Sequence, residues 1–577
     1  MPLHQEEVVE WISYAYGKNH YEADPELRDL LRHFWPGAGD REAELLAWGA
    51  YMGREVYEAA YHIDQDAGPE LVMHDLDGNR VDRVRLSPVQ REVLKRLRPI
   101  VRPPYEGGSW HHHFALGYLL ADGGLYCILT ITHQVAYPIH KYAPGLASWK
   151  ERVLYGEAFG ATWMTEIQGG SDLGANRTVA RREGEVWRLY GGDKYFASGA
   201  GLADVALVTA RPEGAPPGPK GLALFLLPRL DREGRLNYRV RRLKRKSGTR
   251  AVPSGEVELE GSEAYLIGRA EEGIYYTLET LTVSRLANAI AAMGIAAKAL
   301  LETRERVRRR QSFGRFLADH PLVRYDLLDL SVRQAGGLAL ALAAVEAFDR
   351  AWHERPPYGE AYHLARFLSH LAKNRTAEHS AEITRLAMEL FGGLGFLEEY
   401  AVARWHRESL ITPIWEGPSN IQALDLLEAM QKKGAHRPFL AWLEARLKGR
   451  GEEAEGALAA ARKTLDRLAA LEPEAAQFSA KTALRRLAGE AAVASCMGLG
   501  LEAVQSSWLR LGGVLRFRVA GDGHETTPGT LAPRAASRTG GQRRTDTLAM
   551  RASRRSDLAS CPRTSASTRS CGRNTAS

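Results

Sequence analysis

Met164-Thr165-Glu166-Ile167-Gln168-Gly169-Gly170-Ser171-Asp172 decides how this chain is read. The stretch enters apolar, turns on two adjacent glycines, and leaves through a hydroxyl and a carboxylate. With no Cβ in the way, Gly169-Gly170 lets the backbone approach a bulky anion, and free N–H groups beside the Ser171 hydroxyl suit a pyrophosphate. An ordinary strand-to-loop turn fits the same residues, so the choice falls to the segments around it.

Upstream, apolar periodicity makes residues 1–155 mainly helical, with Trp- and Tyr-rich faces and proline-marked breaks at Pro36, Pro103-Pro104 and Pro138. Residues 71–85 read as a loop or short extended segment around Asp75-Leu76-Asp77-Gly78-Asn79. From 156 to 268 the period shortens to two, and 186–190, 205–208, 222–227 and 257–260 read as strands between Gly and Pro turns. Helical periodicity returns over 274–310, 322–354, 362–391 and 420–432, and helices with mixed charge continue over 436–511. The expected fold is therefore mainly α with a central β-domain. Its parts are an N-terminal helical domain (1–155), a middle β-domain (156–268), a four-helix-type domain (269–432), a helical extension (433–520) and a tail (521–577).

The composition, 45% hydrophobic and 25% charged over 577 residues, is that of an ordinary soluble globular protein. The net charge of +7 hints at nucleic acid, but the tail alone carries ten arginines against four acidic residues. That tail, rich in Arg, Ser, Thr, Ala and Gly, lacks the apolar residues for a core; it is expected to be disordered and resembles coding sequence read in a shifted frame. Cys127, Cys496, Cys561 and Cys571 show no metal-ligand spacing, which favours reduced thiols in the cytoplasm. The acidic N-terminus shows no secretory pattern, and no apolar run is expected to span a membrane. His111-His112-His113 point in different directions along a helix, so no metal site is expected there.

Four further segments carry candidate chemistry. In Gly192-Asp193-Lys194-Tyr195-Phe196-Ala197-Ser198, Phe196 and Ser198 can cover and hydrogen-bond a flat heterocycle, or serve as strand core and turn serine. In Arg310-Gln311-Ser312-Phe313-Gly314, Arg310 at a helix end is a phosphate clamp or a solvated cation that complements the helix dipole. Phe391-Gly392-Gly393-Leu394-Gly395-Phe396 is a Gly-rich helix end. In Ile414-Trp415-Glu416-Gly417-Pro418-Ser419-Asn420, Glu416 sits between an aromatic and a glycine just before a helix. An apolar wall there would raise its pKa towards that of a working base; the alternative is a carboxylate facing a helix N-terminus.

Together and in this order, M-T-E-x-x-G-G-S-D, the aromatic strand, R-x-x-F-G, F-G-G-x-G and W-E-G resemble the acyl-CoA dehydrogenase superfamily over roughly 1–432. Segments 69–85, 166–172 and 242–250, with the extension after 432, look like its AidB-like branch, flavoproteins linked to the response to DNA alkylation. The resemblance implies FAD as cofactor, with Met164 and Thr165 at the flavin pyrimidine edge, Gly170 and Ser171 at the pyrophosphate, and Phe196 and Ser198 beside the flavin ring. It implies that Arg310, Phe313, Gly392, Gly393 and Gly395 serve the FAD of a neighbouring subunit, in a tetramer. It also implies Glu416 as catalytic base, Arg285 beside it, an acyl-CoA substrate, and an electron-transfer flavoprotein or similar acceptor. The expected activity is α,β-dehydrogenation of an acyl thioester. The alternative is an AidB-like, DNA-associated flavoprotein, and the basic helices after 432 would then bind duplex DNA weakly. Glu389 and Pro418 depart from the usual Gln and Thr or Ser, and His133-Gln134 are expected to add polarity to the pocket, which argues against assuming a plain long acyl chain.

Overall fold

The structure is a computed structural model that describes residues 12–497 and 499; the tail 521–577 and the end of the extension lie outside the described residues. Helix α1 (Pro25–Phe34) starts under an Asp24 cap, whose carboxylate accepts from Leu27 N at 2.9 Å, with proline in its first turn. It buries Leu27, Leu30, Leu31 and Phe34, one stripe at helical spacing. Helix α2 (Glu42–Tyr51) runs through a π turn into α3 (Tyr57–Gln65). Residues 71–85 then form an antiparallel hairpin, β1 (Glu70–His74) and β2 (Arg80–Arg85), rather than a loop. The turn closes because the Asp75 carboxylate accepts from Asp77 N and Asn79 N.

Four more helices follow: α4 (Pro88–Leu97), α5 (Trp110–Leu120), α6 (Leu125–Tyr142) and α7 (Ala147–Tyr155). The break expected at Pro138 does not occur, since α6 runs through it. Proline removes one helical hydrogen bond, but α6 is buried on nearly every side, and tertiary packing carries the deficit.

The middle region holds β3 (Gly160–Trp163), β4 (Val179–Glu183), β5 (Val186–Tyr190), β6 (Lys194–Ser198), β7 (Val205–Pro212), β8 (Ala223–Pro228), β9 (Arg239–Leu243), β10 (Ser254–Glu258) and β11 (Glu260–Leu266). One sheet runs β3-β7-β4-β5-β11-β8 and closes on itself through β7–β8 pairing. A second sheet, β6-β10-β9, carries the aromatic strand. The strand expected at 257–260 is in fact the corner between them: β10 ends at Glu258 in one sheet and β11 starts at Glu260 in the other. Alternation continues across Leu259, so periodicity alone does not show the change of partner.

Helix α8 (Gly273–Arg309) leads to a short hairpin, β12 (Gln311–Ser312) with β13 (Arg315–Phe316), and then to α9 (Pro321–Ala351) and α10 (Glu360–Phe391). α8 and α9 are long and apolar enough to cross a membrane by length and composition, against the sequence expectation. Their apolar windows are 83% and 78% buried inside the protein, which identifies them as core helices. Helices α11 (Ala401–Ser409) and α12 (Ser419–Lys433) flank the Trp415-Glu416-Gly417 loop. The extension is α13 (His436–Leu447), α14 (Glu452–Ala469) and α15 (Pro473–Cys496). α15 packs on α9, α10 and α12, and its apolar face joins the same core.

Candidate active site

Glu416 lies in the turn between α11 and α12 with φ +58°, a left-handed backbone that costs a non-glycine residue of order 1–3 kcal/mol. The turn persists because its carbonyls are held. Glu416 O accepts from Arg285 Nε (3.1 Å) and Gln422 Nε2 (2.8 Å); Gly417 O accepts from Lys373 Nζ (2.7 Å) and Gln422 Nε2 (3.0 Å). These donors are fixed in turn: Asp425 pairs with Arg285 at 3.0 Å, and His370 Nδ1 lies 2.7 Å from Gln422 Oε1. Burial keeps His370 neutral, its pKa pushed down to about 3, so Nδ1 donates to the Gln422 oxygen.

The carboxyl group held by this loop is poised for proton transfer. Its Oε2 is sealed from solvent and has no hydrogen-bond partner. Burial pushes Glu416 above the ordinary carboxylate range, against the Ser284 hydroxyl and the charges of Arg285 and Lys373. Burial also lowers Lys373 to about 7, with Glu416 pulling the other way. In front of the carboxyl lies a mostly apolar pocket between α6 and α8, lined by Ile131, Ala287, Ala291, Ile295 and Trp415, with Asn288 part-way along. His133 and Gln134 do not line it, contrary to expectation. His133 is buried among Tyr105, Trp110 and His113, and Gln134 bridges the Thr280 carbonyl and the Thr162 hydroxyl. α6 presents Cys127, Thr130 and Ile131 to the pocket instead, so His133 and Gln134 set no limit on the acyl chain.

The opening turn and the aromatic strand pair into a separate wall that contributes no residue to this pocket. Tyr195 N donates to Thr165 O at 3.0 Å, which places Thr165 beside the start of the aromatic strand. Trp163 Nε1 donates to Ser198 O, and Asn176 Nδ2 donates to Met164 O, each at 2.9 Å. Gly170 is required by close approach: a Cβ there would come within 2.3 Å of Thr165 Oγ1. Nothing in the sequence pattern marks a role for Glu166. In the structure it is a buried pin, accepting from Lys194 Nζ (2.8 Å), Arg177 N (2.6 Å) and the Thr178 hydroxyl (2.5 Å). Burial alone would raise it, but Lys194 and these donors hold it below the usual range. Ser171 is exposed and Phe196 is 44% exposed. The wall thus presents an aromatic face, the Thr165 and Ser198 hydroxyls and an accessible glycine turn, a donor set that fits a flavin dinucleotide.

Arg310, Phe313, Gly392 and Gly393 are exposed, and none of them lines this pocket. Arg310 ends α8, on the order of 40 Å along the helix axis from Ser284 at 1.5 Å per residue. Phe313, at the tip of the β12–β13 hairpin, is 95% exposed. Gly395 is buried against Met388 O. Glu389 pairs with Arg385, and Pro418 precedes α12, where Ser419 accepts from Asn374. Lys373, Gln422, His370 and Asp425 were missed by sequence reasoning, since each is one polar residue on a helix with no local pattern.

Profiles of three domains match the chain: the AidB N-terminal domain over 13–157, and the acyl-CoA dehydrogenase middle and C-terminal domains over 161–262 and 271–431. The 3-methylmercaptopropionyl-CoA dehydrogenase of Ruegeria pomeroyi is 32% identical, over 74% of this chain and 72% of its own. The putative acyl-CoA dehydrogenase AidB of Escherichia coli is 29% identical, over 66% of this chain and 72% of its own. Among solved structures, Bd2924 in its apo form is 27% identical with a TM-score of 0.76, covering 84% of this chain and 98% of that one. Caenorhabditis elegans ACDH-11 in complex with C11-CoA has the same TM-score at 24% identity, covering 85% and 89%.

Proposed function

The chain belongs to the acyl-CoA dehydrogenase family, and from that premise we propose that it dehydrogenates an acyl-CoA thioester between its α- and β-carbons, with Glu416 as the base. The observation that carries this is the unpartnered, sealed Glu416 Oε2 at the head of an apolar pocket. Glu416 takes the α-proton; its raised pKa suits that transfer. Bound FAD supplies the acceptor for the β-hydride. Thr165, Phe196 and Ser198 would hold the ring edge and face, and the Gly170-Ser171 turn would hold the pyrophosphate. Arg285, Gln422 and Lys373 fix the backbone that carries the base. Trp415, Ile131 and Ala287 keep water from the reacting carbons.

The test is anaerobic titration of the FAD-loaded protein with acyl-CoA thioesters. Bleaching of the flavin band is expected, and Glu416→Gln is expected to abolish it. Retained bleaching in that variant removes Glu416 from the mechanism.

The assembly belongs to the same proposal. Arg310 and Phe313 of one copy complete the FAD site of another in a homotetramer, supported by their exposure far from their own Glu416. An electron-transfer flavoprotein or similar carrier would serve as the protein's electron acceptor. A cytoplasmic setting is supported by the cysteine pattern, since Cys127, Cys496, Cys561 and Cys571 show no metal-ligand spacing. Duplex-DNA binding by the extension is the weaker reading. Arg446, Arg462 and Arg485 pair with Glu346, Glu444 and Glu378, so less free positive charge remains than the composition implies.

A further inference from the structure

Besides Glu416 Oε2, the pocket in front of the base holds a second polar group that its walls do not satisfy. Along α8 the pocket is lined by Ser284, Ala287, Asn288, Ala291 and Ile295, a single face at helical spacing that extends roughly 16 Å at 1.5 Å per residue. Asn288 is 4% exposed. Its Oδ1 accepts from the indole N–H of Trp415, next to the base. Indole nitrogen only donates, so this contact fixes which end of the amide is oxygen. The Nδ2 end is left buried with two N–H donors and no partner. A buried amide donor without an acceptor is disfavoured, and the rest of this face is alanine, isoleucine and one serine that hydrogen-bonds Glu416.

Resting on the dehydrogenase reading above, we infer that Asn288 reads a hydrogen-bond acceptor within the acyl chain. The substrate class is then acyl-CoA thioesters carrying an oxygen (ether, hydroxyl or keto) part-way along the chain, rather than plain fatty acyl groups. The position follows from the helix. Asn288 is four residues beyond Ser284, about 6 Å further along α8 than the serine that faces the base. An extended chain advances about 1.2 Å per bond, so the acceptor lies roughly five bonds beyond the reacting carbons. Asn288 is thus a specificity-determining residue, and Trp415 is its positioning residue, aiming the N–H groups into the tunnel while flanking the base.

The test compares matched pairs on FAD-loaded Glu416→Gln protein, in which ligand is not consumed. Mono-oxa acyl-CoAs, with the ether oxygen stepped from about the fourth to the eighth chain position, are titrated beside all-carbon thioesters of equal length, and Kd is read from the flavin spectrum. At one position the oxa compound is expected to bind at least about tenfold tighter than its isostere. Added to that background, Asn288→Leu reverses the preference. Trp415→Phe, which frees the amide to turn, brings the ratio towards one while Asn288 remains. Because each ratio is taken on a single protein, general loss of stability or of base alignment cancels. Equal binding at every position, as when a trapped water satisfies Nδ2, overturns the inference, and so does a preference that survives Asn288→Leu. Failure of every thioester to bind retracts the dehydrogenase reading, and this inference with it.

Discussion

At the scale of single residues, the site depends on a cation that titrates near the pH at which it is needed. Glu416 accepts a proton only when ionised, and its carboxyl is raised by burial, so kcat/KM falls on the acid side at a pH above the ordinary carboxylate range. Lys373 titrates at about 7. Below that pH its ammonium favours the carboxylate form; above it the help is lost. Replacing it with a neutral side chain therefore raises the Glu416 pKa. The acid limb of the kcat/KM profile is expected to move up by roughly one unit in Lys373→Met and to return in Lys373→Arg, which stays charged throughout. A lower kcat with an unmoved acid limb would reduce Lys373 to a brace for the Gly417 carbonyl. Glu416 itself was legible in sequence because an aromatic, a carboxylate and a glycine precede a helix start. Lys373 was not, because a lone lysine on a helix looks solvated until the fold brings Gly417 to it.

At the scale of elements, the proposed flavin wall is one unit because a buried ion pair joins its halves. Glu166 follows β3, Lys194 begins β6, and both side chains are fully buried. Lys194→Met strands the Glu166 carboxylate, at a cost of about 3–5 kcal/mol, and should lower the melting temperature and FAD affinity together. Glu166→Gln with Lys194→Met removes both charges and should recover most of the stability but not the alignment of Thr165 with Phe196. Thermal melts and FAD titrations of the two variants check this; a double variant as unstable as the single one would show that the ion pair is not what joins the strands. The order of elements was readable because helices and strands differ in apolar period. The corner at Leu259 and the unbroken α6 at Pro138 were not, since each depends on what packs against the chain rather than on the chain's own pattern.

At the scale of the whole molecule, the exposed apolar residues support the proposed assembly. Phe313 at 95% exposure and φ +49°, Phe396 at 84% and Leu322 at 79% form no part of the core, and a monomer rarely leaves so many large side chains in water. Phe313 follows Arg310 at the far end of α8, about 40 Å from the base on the same chain. If one copy supplies Glu416 and another supplies Arg310, two defective chains can repair each other. Neither Glu416→Gln nor Arg310→Ala protein alone should turn over. Co-expressed, they form assemblies in which Arg310 from the first variant meets Glu416 from the second. With random mixing about a quarter of the sites are then intact, and turnover should return to roughly that fraction of the native rate. Phe313→Asp should break the assembly, with flavin loss that grows on dilution, as sedimentation and absorbance read together would show. Mixed chains with no more turnover than their parents would place Arg310 outside any shared site and leave each subunit to hold its cofactor alone.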